Sequence, residues 1–349
     1  MSHTEYMRNL SLSVIICAYT EDRWDDLSAA VESVRAQGRP PMEIIVVIDH
    51  NPPLAQRARM ALPGAVVIEN REARGLSGAR NTGIAAAKGD VVAFLDDDAI
   101  AAPDWLNRLT AGYADPLVHG VGGAIESAWS AGRPRWFPKE FDWVVGCTYR
   151  GMPRHASPVR NMIGANMSFR REVFAVVGGF RNGMGRLGTR PLGCEETELC
   201  IRVRKHWPRT ILLYEPRALV RHRVPAHRAR WAYFRARCYS EGLSKAQVSE
   251  FVGAKDGLES ERHYTFSTLP RGVVRGLADT MKGDLTGLGR AGAIITGLAV
   301  TSAGYLAGKA SKRLARRKLG ARSRFTNQGR YSENQVAGDA DGPWMPEQA

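Results

Sequence analysis

Residues 93–105, AFLDDDAIAAPDW, place three carboxylates side by side directly after an apolar run. Adjacent negative charges at the end of a core strand repel one another unless a divalent cation or a set of hydrogen-bond donors offsets the repulsion. A hard cation such as Mg²⁺ or Mn²⁺ binds carboxylate oxygens and keeps coordination positions for phosphate oxygens. Asp96, Asp97 and Asp98 therefore indicate a site for such a cation or for such donors, and a solvated acidic loop is the alternative.

The elements that carry this cluster are predicted from the periodicity of the first hundred residues. Continuous apolar runs, each typical of a buried strand, alternate with amphipathic segments that are typical of helices. In order they are LSVIICAY, WDDLSAAVESVRAQ, EIIVVID, AVVIEN, LSGARNTGIAAAKG and VVAFLDDD. This alternation predicts an α/β fold with a parallel sheet that helices cover on both faces.

Polar residues follow the predicted strands, and in such sheets ligands bind beyond the carboxyl ends of the strands. Tyr19, Asp49 and the acidic run 96–98 are therefore expected to converge on one edge. No G-x-G-x-x-G motif and no P-loop follows the first strand, which argues against a dinucleotide oxidoreductase and a P-loop kinase.

The rest of the chain is less regular. Residues 120–170 alternate prolines with aromatic residues and are predicted to be irregular. Three later segments read as a strand with a short helix, a helix, and a strand with a turn: NMIGANMSFRREVFAVVGGF, CEETELCIRVRKHWP and TILLYEPRALVRHRV. Residues from about 326 onward are polar and predicted to be disordered.

Charge is concentrated near the C-terminus. The chain has 349 residues and a net charge of +14, and residues 309–324 contribute eight positive charges with no acid among them. They directly follow the uncharged residues 291–308, and this adjacency favours an anionic membrane surface over nucleic acid. An interfacial helix is the favoured interpretation of 291–308, with a helix packed on the domain or a membrane span as alternatives.

Cysteine use and the N-terminus bear on the compartment. The five cysteines are odd in number and never spaced as CxxC, so neither a disulfide framework nor a zinc site is indicated. No secretory signal is recognised at the start of the chain. The active domain is therefore expected in the cytosol, peripherally associated with the inner face of the cell membrane.

In this order and spacing the motifs resemble the family 2 glycosyltransferases, which have the GT-A nucleotide-diphospho-sugar transferase fold. The resemblance runs from Leu12 to Trp231 through VIICAYTEDRWDDL, EIIVVIDHN, RGLSGARNTGIAAAKGDVVAFLDDDA, GANMSFRREVFAVVGGF and CEETELCIRV. It implies a mostly parallel sheet covered by helices and followed by a C-terminal helical extension. The expected organisation is a transferase domain at 1–240, with a nucleotide-sugar half at about 10–100 and an acceptor half at 101–240. A helical, basic, membrane-associating region at 241–325 and a disordered tail at 326–349 follow.

The same resemblance assigns roles to residues of the donor site. Asp98 would be the carboxylate of the D-x-D motif that holds Mn²⁺ or Mg²⁺ on the donor diphosphate, with Asp96 and Asp97 helping to hold the metal or the ribose. His222 matches a family histidine near the diphosphate or metal, and a surface histidine is the alternative.

Three further residues are implied to bind the nucleotide. Tyr19 would stack on uracil and Asp49 would accept a hydrogen bond from the base, although YTED and IDHN depart from the commoner family motifs. Arg80 would lie near base or phosphate, and a structural ion-pair partner of the acidic cluster is its alternative role.

The segment CEETEL is similar to the family motif whose second carboxylate is the general base, which makes Glu196 the candidate catalytic residue. An inverting transfer needs one carboxylate to take the proton of the acceptor hydroxyl. Glu195 and Glu198 could equally complement the dipole of the helix N-terminus.

Together these features predict an inverting, metal-dependent glycosyltransferase for hexosyl or glycuronosyl transfer from a nucleoside-diphosphate sugar, expected to be a UDP-sugar. Within the family, the motifs look like the glucosyl-dolichyl-phosphate glucuronosyltransferases, which implies UDP-glucuronate and a lipid-linked or cell-envelope saccharide acceptor. No nucleic acid is expected as a partner. The alternatives are a polyprenyl-phosphate monosaccharide synthase and a catalytically silent sugar-nucleotide-binding scaffold.

Overall fold

The computed structural model describes residues 10–186, 192–253 and 263–333, with side chains described as far as residue 311. The chain forms one sheet with helices on both faces and a helical C-terminal region. The helices are α1 (Trp24–Arg35), α2 (Pro52–Ala61), α3 (Leu76–Ala86), α4 (Trp105–Gly112), α5 (Arg171–Val177), α6 (Glu195–His206), α7 (Trp231–Val252), α8 (Leu269–Met281) and α9 (Thr286–Glu333).

The sheet is mostly parallel, as predicted. Its strands are β1 (Leu12–Ala18), β2 (Glu43–Ile48), β3 (Val66–Glu69), β4 (Val91–Asp96), β5 (Ala99–Ala101), β6 (Val118–Trp129), β7 (Ser157–Pro158), β8 (Asn166–Arg170) and β9 (Ile211–Val224). The spatial order is β3-β2-β1-β4-β8-β6-β9-β5, with β7 paired to β9. The strands of the first half, β3, β2, β1 and β4, run parallel, so their carboxyl ends meet at one edge. Strand β8 is antiparallel to both β4 and β6, and β5 is antiparallel to β9.

Two predictions of local structure were wrong. Residues 120–170, predicted to be irregular, contain most of the long strand β6. The segment at 210–224, predicted as a strand and a turn, is one strand, β9, despite Pro216. The pairing of β6 with β9 shifts register just after Gly123, and this irregularity accommodates a residue that has no N–H to donate. Long-range pairing with β6 therefore overrides the local turn signal.

Close packing of α3 on the sheet positions the residues of the site. The helix lies so near β1 that a Cβ on Gly83 would come within 2.7 Å of Ile15 Cγ2. Because of this contact, Arg80, one turn earlier on α3, lies close to the carboxyl ends of the strands.

Asn166 ties β8 to its neighbours beside the acidic run. Its side-chain amide donates to the carbonyls of Ala124 and Ala218 at 2.9 and 2.8 Å and accepts from the indole N–H of Trp105 at 2.8 Å. Asn166 pairs in register with Leu95, the residue before Asp96. The carboxyl end of β4 is thus anchored to the second half of the sheet.

The C-terminal helices pack on one another and on the transferase domain. A Cβ on Gly242 of α7 would lie 2.1 Å from the carbonyl oxygen of Thr301, so α7 and α9 are in backbone contact. Residues 291–308, predicted to be an interfacial helix, form part of α9. Thr286–Ser311 is long and apolar enough to cross a membrane, and 33% of its most apolar window is buried inside the protein. Helix α9 continues through 326–333 of the predicted disordered tail, and 334–349 lie outside the described residues.

Candidate active site

All eight predicted site residues line one cavity of about 570 Å³ at the carboxyl ends of the parallel strands. They are Tyr19, Asp49, Arg80, Asp96, Asp97, Asp98, Glu196 and His222. Adjacent parallel strands bring Tyr19, Asp49 and Asp96 to the same edge. Helix α6 and strand β9 add Glu196 and His222 from the other half of the chain.

Asp96, Asp98 and His222 form a candidate metal centre, because one ligand atom from each lies within 4.8 Å of the others. Asp96 ends β4, and Asp98 occupies the tight turn before β5. His222 comes alongside because β5 pairs with β9 and sets Ala99 opposite it. Two carboxylates and one imidazole suit a divalent ion such as Mn²⁺, and the set is pre-assembled by the sheet.

Three cations compensate the charge of Asp98. His222 Nε2 lies 2.9 Å from Asp98 Oδ1, while guanidinium nitrogens of Arg23 and Arg228 lie 3.1 and 3.5 Å from Oδ2. Burial opposes ionisation, but these contacts, led by His222, hold the pKa of Asp98 well below its usual range. Burial lowers the pKa of His222, but Asp98 overcomes this and raises it well above its usual value. A metal ion would take the place of the proton that His222 now shares with Asp98, so the donor set fits the ion.

The two carboxylate oxygens of Asp97 differ in their hydrogen bonds. Its Oδ1 accepts from Arg23 at 2.7 Å, and its buried Oδ2 has no hydrogen-bond partner among the described residues. Burial, followed by the negative charge of Asp98, raises the pKa of Asp97 to about 7. An unpartnered buried acceptor in a ligand-sized cavity is suited to a hydroxyl or water of a bound ligand.

Tyr19 lies at the rim of the cavity with 36% of its surface exposed. Arg23 covers the ring, with its guanidinium carbon 5.2 Å from the ring centroid, and donates to the tyrosine hydroxyl at 3.2 Å. The exposed part of the ring leaves room for a planar group to stack.

Asp49 is held rigidly where β2 meets α3. It accepts from the side-chain amide of Asn70 at 2.7 Å and from the backbone N–H of Gly75 at 2.9 Å. Gly75 has φ 126°, a conformation that favours glycine, so its N–H can point at the carboxylate. A base contact by Asp49 stays a prediction.

Arg80 bridges the two acidic segments. The buried guanidinium donates to Glu195 at 2.7 Å, to Asp96 at 3.4 Å and to the carbonyl of Gly164 at 3.0 Å. The structural ion pair considered for this residue is therefore present. A contact with the nucleotide stays a prediction.

Glu196 differs from its two acidic neighbours on α6. Glu195 is paired with Arg80, and Glu198 is buried between Arg181 and Arg202. Glu196 is half-buried in the cavity wall, accepts a long hydrogen bond from Thr197, and makes no ion pair among the described residues. Burial, then the like charge of Glu195, raises the pKa of Glu196 from 4.5 to about 8. It is the carboxylate best placed to exchange a proton with a ligand.

Sequence reasoning did not identify the individual cationic residues of the cavity wall, although the arginine-rich segment 202–237 was expected to hold phosphate of the donor or of a lipid-linked acceptor. Arg23 and Arg228 pair with the acidic run, while Arg237 lines the wall near Glu196. Arg23 lies inside a motif that resembles the family, four residues after Tyr19, and that spacing was the available signal. Arg228 and Arg237 stand in an arginine-rich segment in which no periodicity distinguishes cavity residues from surface residues.

The comparisons with known proteins agree with this geometry. The family model described as glycosyl transferase family 2 matches residues 13–178. The chain is 37% identical over 240 residues to the glucosyl-dolichyl phosphate glucuronosyltransferase of Haloferax volcanii. The aligned region covers 68% of this chain and 76% of that protein. The chain is 23% identical over 245 residues to the succinoglycan biosynthesis protein ExoM of Rhizobium meliloti, which covers 68% and 75%.

Solved structures confirm the fold expected from the sequence. The mannosyltransferase PcManGT of Pyrobaculum calidifontis, in complex with GDP-Man and Mn²⁺, superimposes with a TM-score of 0.53 at 20% identity over 87% of both chains. GalNAc-T7 with UDP, GalNAc and Mn²⁺ gives a TM-score of 0.50 at 18% identity over 74% of this chain and 58% of its own. The architecture is thus the GT-A fold.

The bridge between Arg80 and Glu195 is expected to dominate the stability of the site. Arg80→Met leaves the buried Glu195 unpaired and should lower the free energy of unfolding by about 3–5 kcal/mol. Adding Glu195→Gln should restore at least about 1 kcal/mol of that loss, because the stranded charge is removed. Urea unfolding of both variants measures these changes.

The exposed pair of Arg59 and Glu69 is the control, and Arg59→Met should cost less than about 1 kcal/mol. Equal costs for Arg59→Met and Arg80→Met would contradict this account.

The raised pKa of Glu196 predicts a pH-dependent stability difference. Between pH 4.5 and about 8 the folded protein keeps a proton on Glu196 that the unfolded chain has released. The contribution of Glu196 to stability therefore falls as pH rises through this range, by at most about 1.4 kcal/mol per pH unit. Relative to Glu196→Gln, the unmodified protein should lose stability from pH 5 to 8 and then level off, as measured by urea unfolding without added metal. Parallel pH profiles for the two proteins would refute the raised pKa.

Proposed function

Because the chain belongs to glycosyltransferase family 2, we propose that it is an inverting, metal-dependent enzyme that moves a sugar from a UDP-sugar to a hydroxyl of a lipid-linked saccharide. One observation carries this proposal. A candidate metal centre and Glu196, a carboxylate that makes no ion pair with any described residue, line the same cavity, which is large enough for a nucleotide-sugar. Inverting transfer needs these two components and no enzyme nucleophile.

Asp96, Asp98 and His222 would hold Mn²⁺ or Mg²⁺, and His222 would bind through neutral imidazole. When bound, the ion supplies positive charge that neutralises the departing diphosphate. Arg23 and Arg228, which already contact Asp98, are within reach of the same diphosphate. Both guanidinium groups can orient phosphate oxygens through paired hydrogen bonds.

The nucleoside would lie at the rim between β1 and β2. The partly exposed ring of Tyr19 offers a stacking surface, and Asp49 offers carboxylate lone pairs at a fixed position. The unpartnered oxygen of Asp97 is suited to a ribose hydroxyl. One aromatic face and one acceptor suit a base that stacks and donates an N–H, as uracil does through its imide group.

UDP-glucuronate is the proposed donor. Its carboxylate needs a cation, and Arg160, Arg186 and Arg237 line the cavity in addition to the arginines beside the acidic run. The Haloferax volcanii relative, named as a glucuronosyltransferase, supports the same choice.

Glu196 would act as the general base. Its pKa, about 8, lies close to neutral pH. A general base works best when its pKa is near the working pH, because it is then both basic and partly ionised. The acceptor hydroxyl would lose its proton to Glu196 as the oxygen attacks the anomeric carbon from the face opposite the diphosphate. Arg80, by pairing with Glu195, fixes the start of α6 and hence the position of the base.

Membrane association is proposed to use α8 rather than 291–308 alone. The residues Phe266, Val274, Leu277 and Met281 are 80, 65, 45 and 89% exposed and are spaced for one face of the helical segment 264–281. Exposed Arg271 and Lys282 lie nearby, as on helices that bind anionic bilayers. The inner face of the cell membrane is the proposed location.

Two variants separate donor binding from turnover. In Asp98→Asn the Mn²⁺-dependent thermal stabilisation by UDP-glucuronate should disappear, because a metal ligand is lost. In the unmodified protein it should reach about 2.7 kcal/mol at a hundredfold excess over Kd. Glu196→Gln should keep the stabilisation but lose 10²-fold to about 10⁴-fold in transfer to a lipid-linked acceptor.

Asp104→Asn, at a surface ion pair with Arg108, is the control and should change neither readout. Absence of any nucleotide-dependent shift in the unmodified protein would overturn the proposal in favour of a scaffold. Full transfer by Glu196→Gln would indicate that the acceptor is a polyprenyl phosphate, which needs no base.

The α8 surface predicts a specific defect in membrane binding. Leu277→Glu with Met281→Glu removes two apolar contacts, each worth about 1.5–3 kcal/mol, and adds charge that anionic lipid repels. Co-sedimentation with phosphatidylglycerol vesicles should fall at least tenfold. Met60→Glu, at a 72% exposed residue of α2, is the matched control and should bind as the unmodified protein does. Unchanged binding of the double variant would exclude α8 as the contact.

A further inference from the structure

The active-site cavity continues into a compartment that the donor and the general base do not explain. Its wall is mainly aromatic and aliphatic, and we name this compartment the apolar arm. It is formed by Trp143, Tyr149, Tyr264, Leu269, Leu298 and Tyr305. These residues come from the acceptor half and from the C-terminal helices, so the helical region encloses part of the active-site cavity.

The arm has a fixed wall. The indole N–H of Trp143 donates to the hydroxyl of Tyr264 at 2.9 Å, and that hydroxyl donates to the carbonyl of Glu140 at 2.6 Å. The ring of Tyr149 packs edge-on against Tyr264 with centroids 5.3 Å apart. Because the polar atoms of Trp143 and Tyr264 bond to each other and to the backbone, their rings present apolar surface to the cavity.

Positively charged side chains lie where the apolar arm joins the polar part of the cavity. Arg237 and Lys245 contact Glu241 at 2.9 and 3.5 Å, so the three side chains together carry one net positive charge. Arg237 also lies over the ring of Trp143, at 5.8 Å. Glu241 contacts the thiol of Cys194 at 3.3 Å, which places this group directly before Glu195 and Glu196 in the wall.

The cavity is therefore graded from the candidate metal centre and Glu196, through a cationic junction, to an apolar compartment. We infer that the apolar arm binds the hydrocarbon chain of the acceptor lipid, with its phosphate at Arg237 and Lys245 and its sugar at Glu196. This inference rests on the proposed function and adds the site for the lipid. The order of chemical groups in a lipid-linked saccharide matches the order of surfaces in the wall.

The arm opens on the side of the molecule that carries exposed apolar residues. Ser302 and Leu306 of α9 line the cavity and are exposed, Leu306 by 66%. Thr265 also lines the cavity and precedes Phe266, which is 80% exposed. A chain that lies in a bilayer can thus enter the arm beside the surface proposed to contact the membrane. A peptide would leave its backbone polar groups unsatisfied against this wall, which favours hydrocarbon as the occupant.

The test measures lipid binding without donor, so it is independent of transfer. Ser302→Trp should block the mouth of the arm, whereas Ala303→Trp, at an exposed neighbour that does not line the cavity, is the matched control. Farnesyl phosphate binding to the full chain is measured by titration calorimetry. We expect Ser302→Trp to weaken it at least tenfold and Ala303→Trp to leave it within twofold of the unmodified protein.

Farnesol and Lys245→Met test the cationic junction. Farnesyl phosphate should bind the unmodified protein at least tenfold more tightly than farnesol, and Lys245→Met should reduce this ratio at least threefold. No binding of farnesyl phosphate to the unmodified protein, or equal binding by both tryptophan variants, would overturn the inference.

The two proposals fail separately. Selective lipid binding without sugar transfer would refute the proposed enzyme but not the lipid site. Transfer that is as efficient in Ser302→Trp as in Ala303→Trp, with a long-chain acceptor, would refute the lipid site but not the enzyme.

Discussion

The site depends on one buried cation, Arg80. Its guanidinium joins Asp96 of the first acidic segment to Glu195 of the second, 16 and 115 residues away along the chain. A carboxylate buried as deeply as Glu195 is costly without a partner, so the bridge favours the observed relative position of β4 and α6. Gly83 makes the bridge possible by letting α3 approach β1 closely. Asp96 of the candidate metal centre and Glu195, the neighbour of the candidate base, are thereby held by a single side chain.

Charge compensation explains how the acidic run can exist in the folded protein. Asp98 contacts His222, Arg23 and Arg228, and these contacts offset its burial before any ligand is bound. On the proposed function, an ion bound at Asp98 would neutralise part of the charge that Arg23 and Arg228 now compensate. Their guanidinium groups could then contact the diphosphate. On that proposal the same cations would serve stability in the free protein and binding in the complex. Glu196 makes no ion pair among the described residues, and burial, followed by the like charge of Glu195, raises its pKa.

The C-terminal helices connect the cavity with the surface proposed to contact the membrane. Glycines allow α9 to pack against α7 at backbone distance, and this packing encloses the aromatic wall of the apolar arm. The exposed apolar residues Val274, Leu277 and Met281 lie on α8, whose first residue, Leu269, lines the cavity. A protein that takes its acceptor from a bilayer benefits from this arrangement, because docking and loading of the acceptor then use adjacent surfaces. The residues 291–308, which suggested a membrane segment from composition, contribute to the wall as well as to the exterior.

Sequence patterns were sufficient to predict the parallel half of the sheet and the convergence of Tyr19, Asp49 and Asp96. Local periodicity identifies buried strands, and parallel neighbours necessarily end at one edge. The sequence also identified the family through motifs whose order resembles known transferases. Four features could be seen only in the folded chain: the continuity of β9 through Pro216, the partners of Arg80, the contacts of Arg23 and Arg228 with Asp98, and the aromatic part of the cavity wall. Each of these features arises from contact between segments that are distant in the chain. Long-range strand pairing and charge contacts produce no local periodicity in the sequence, so they could not be predicted from it.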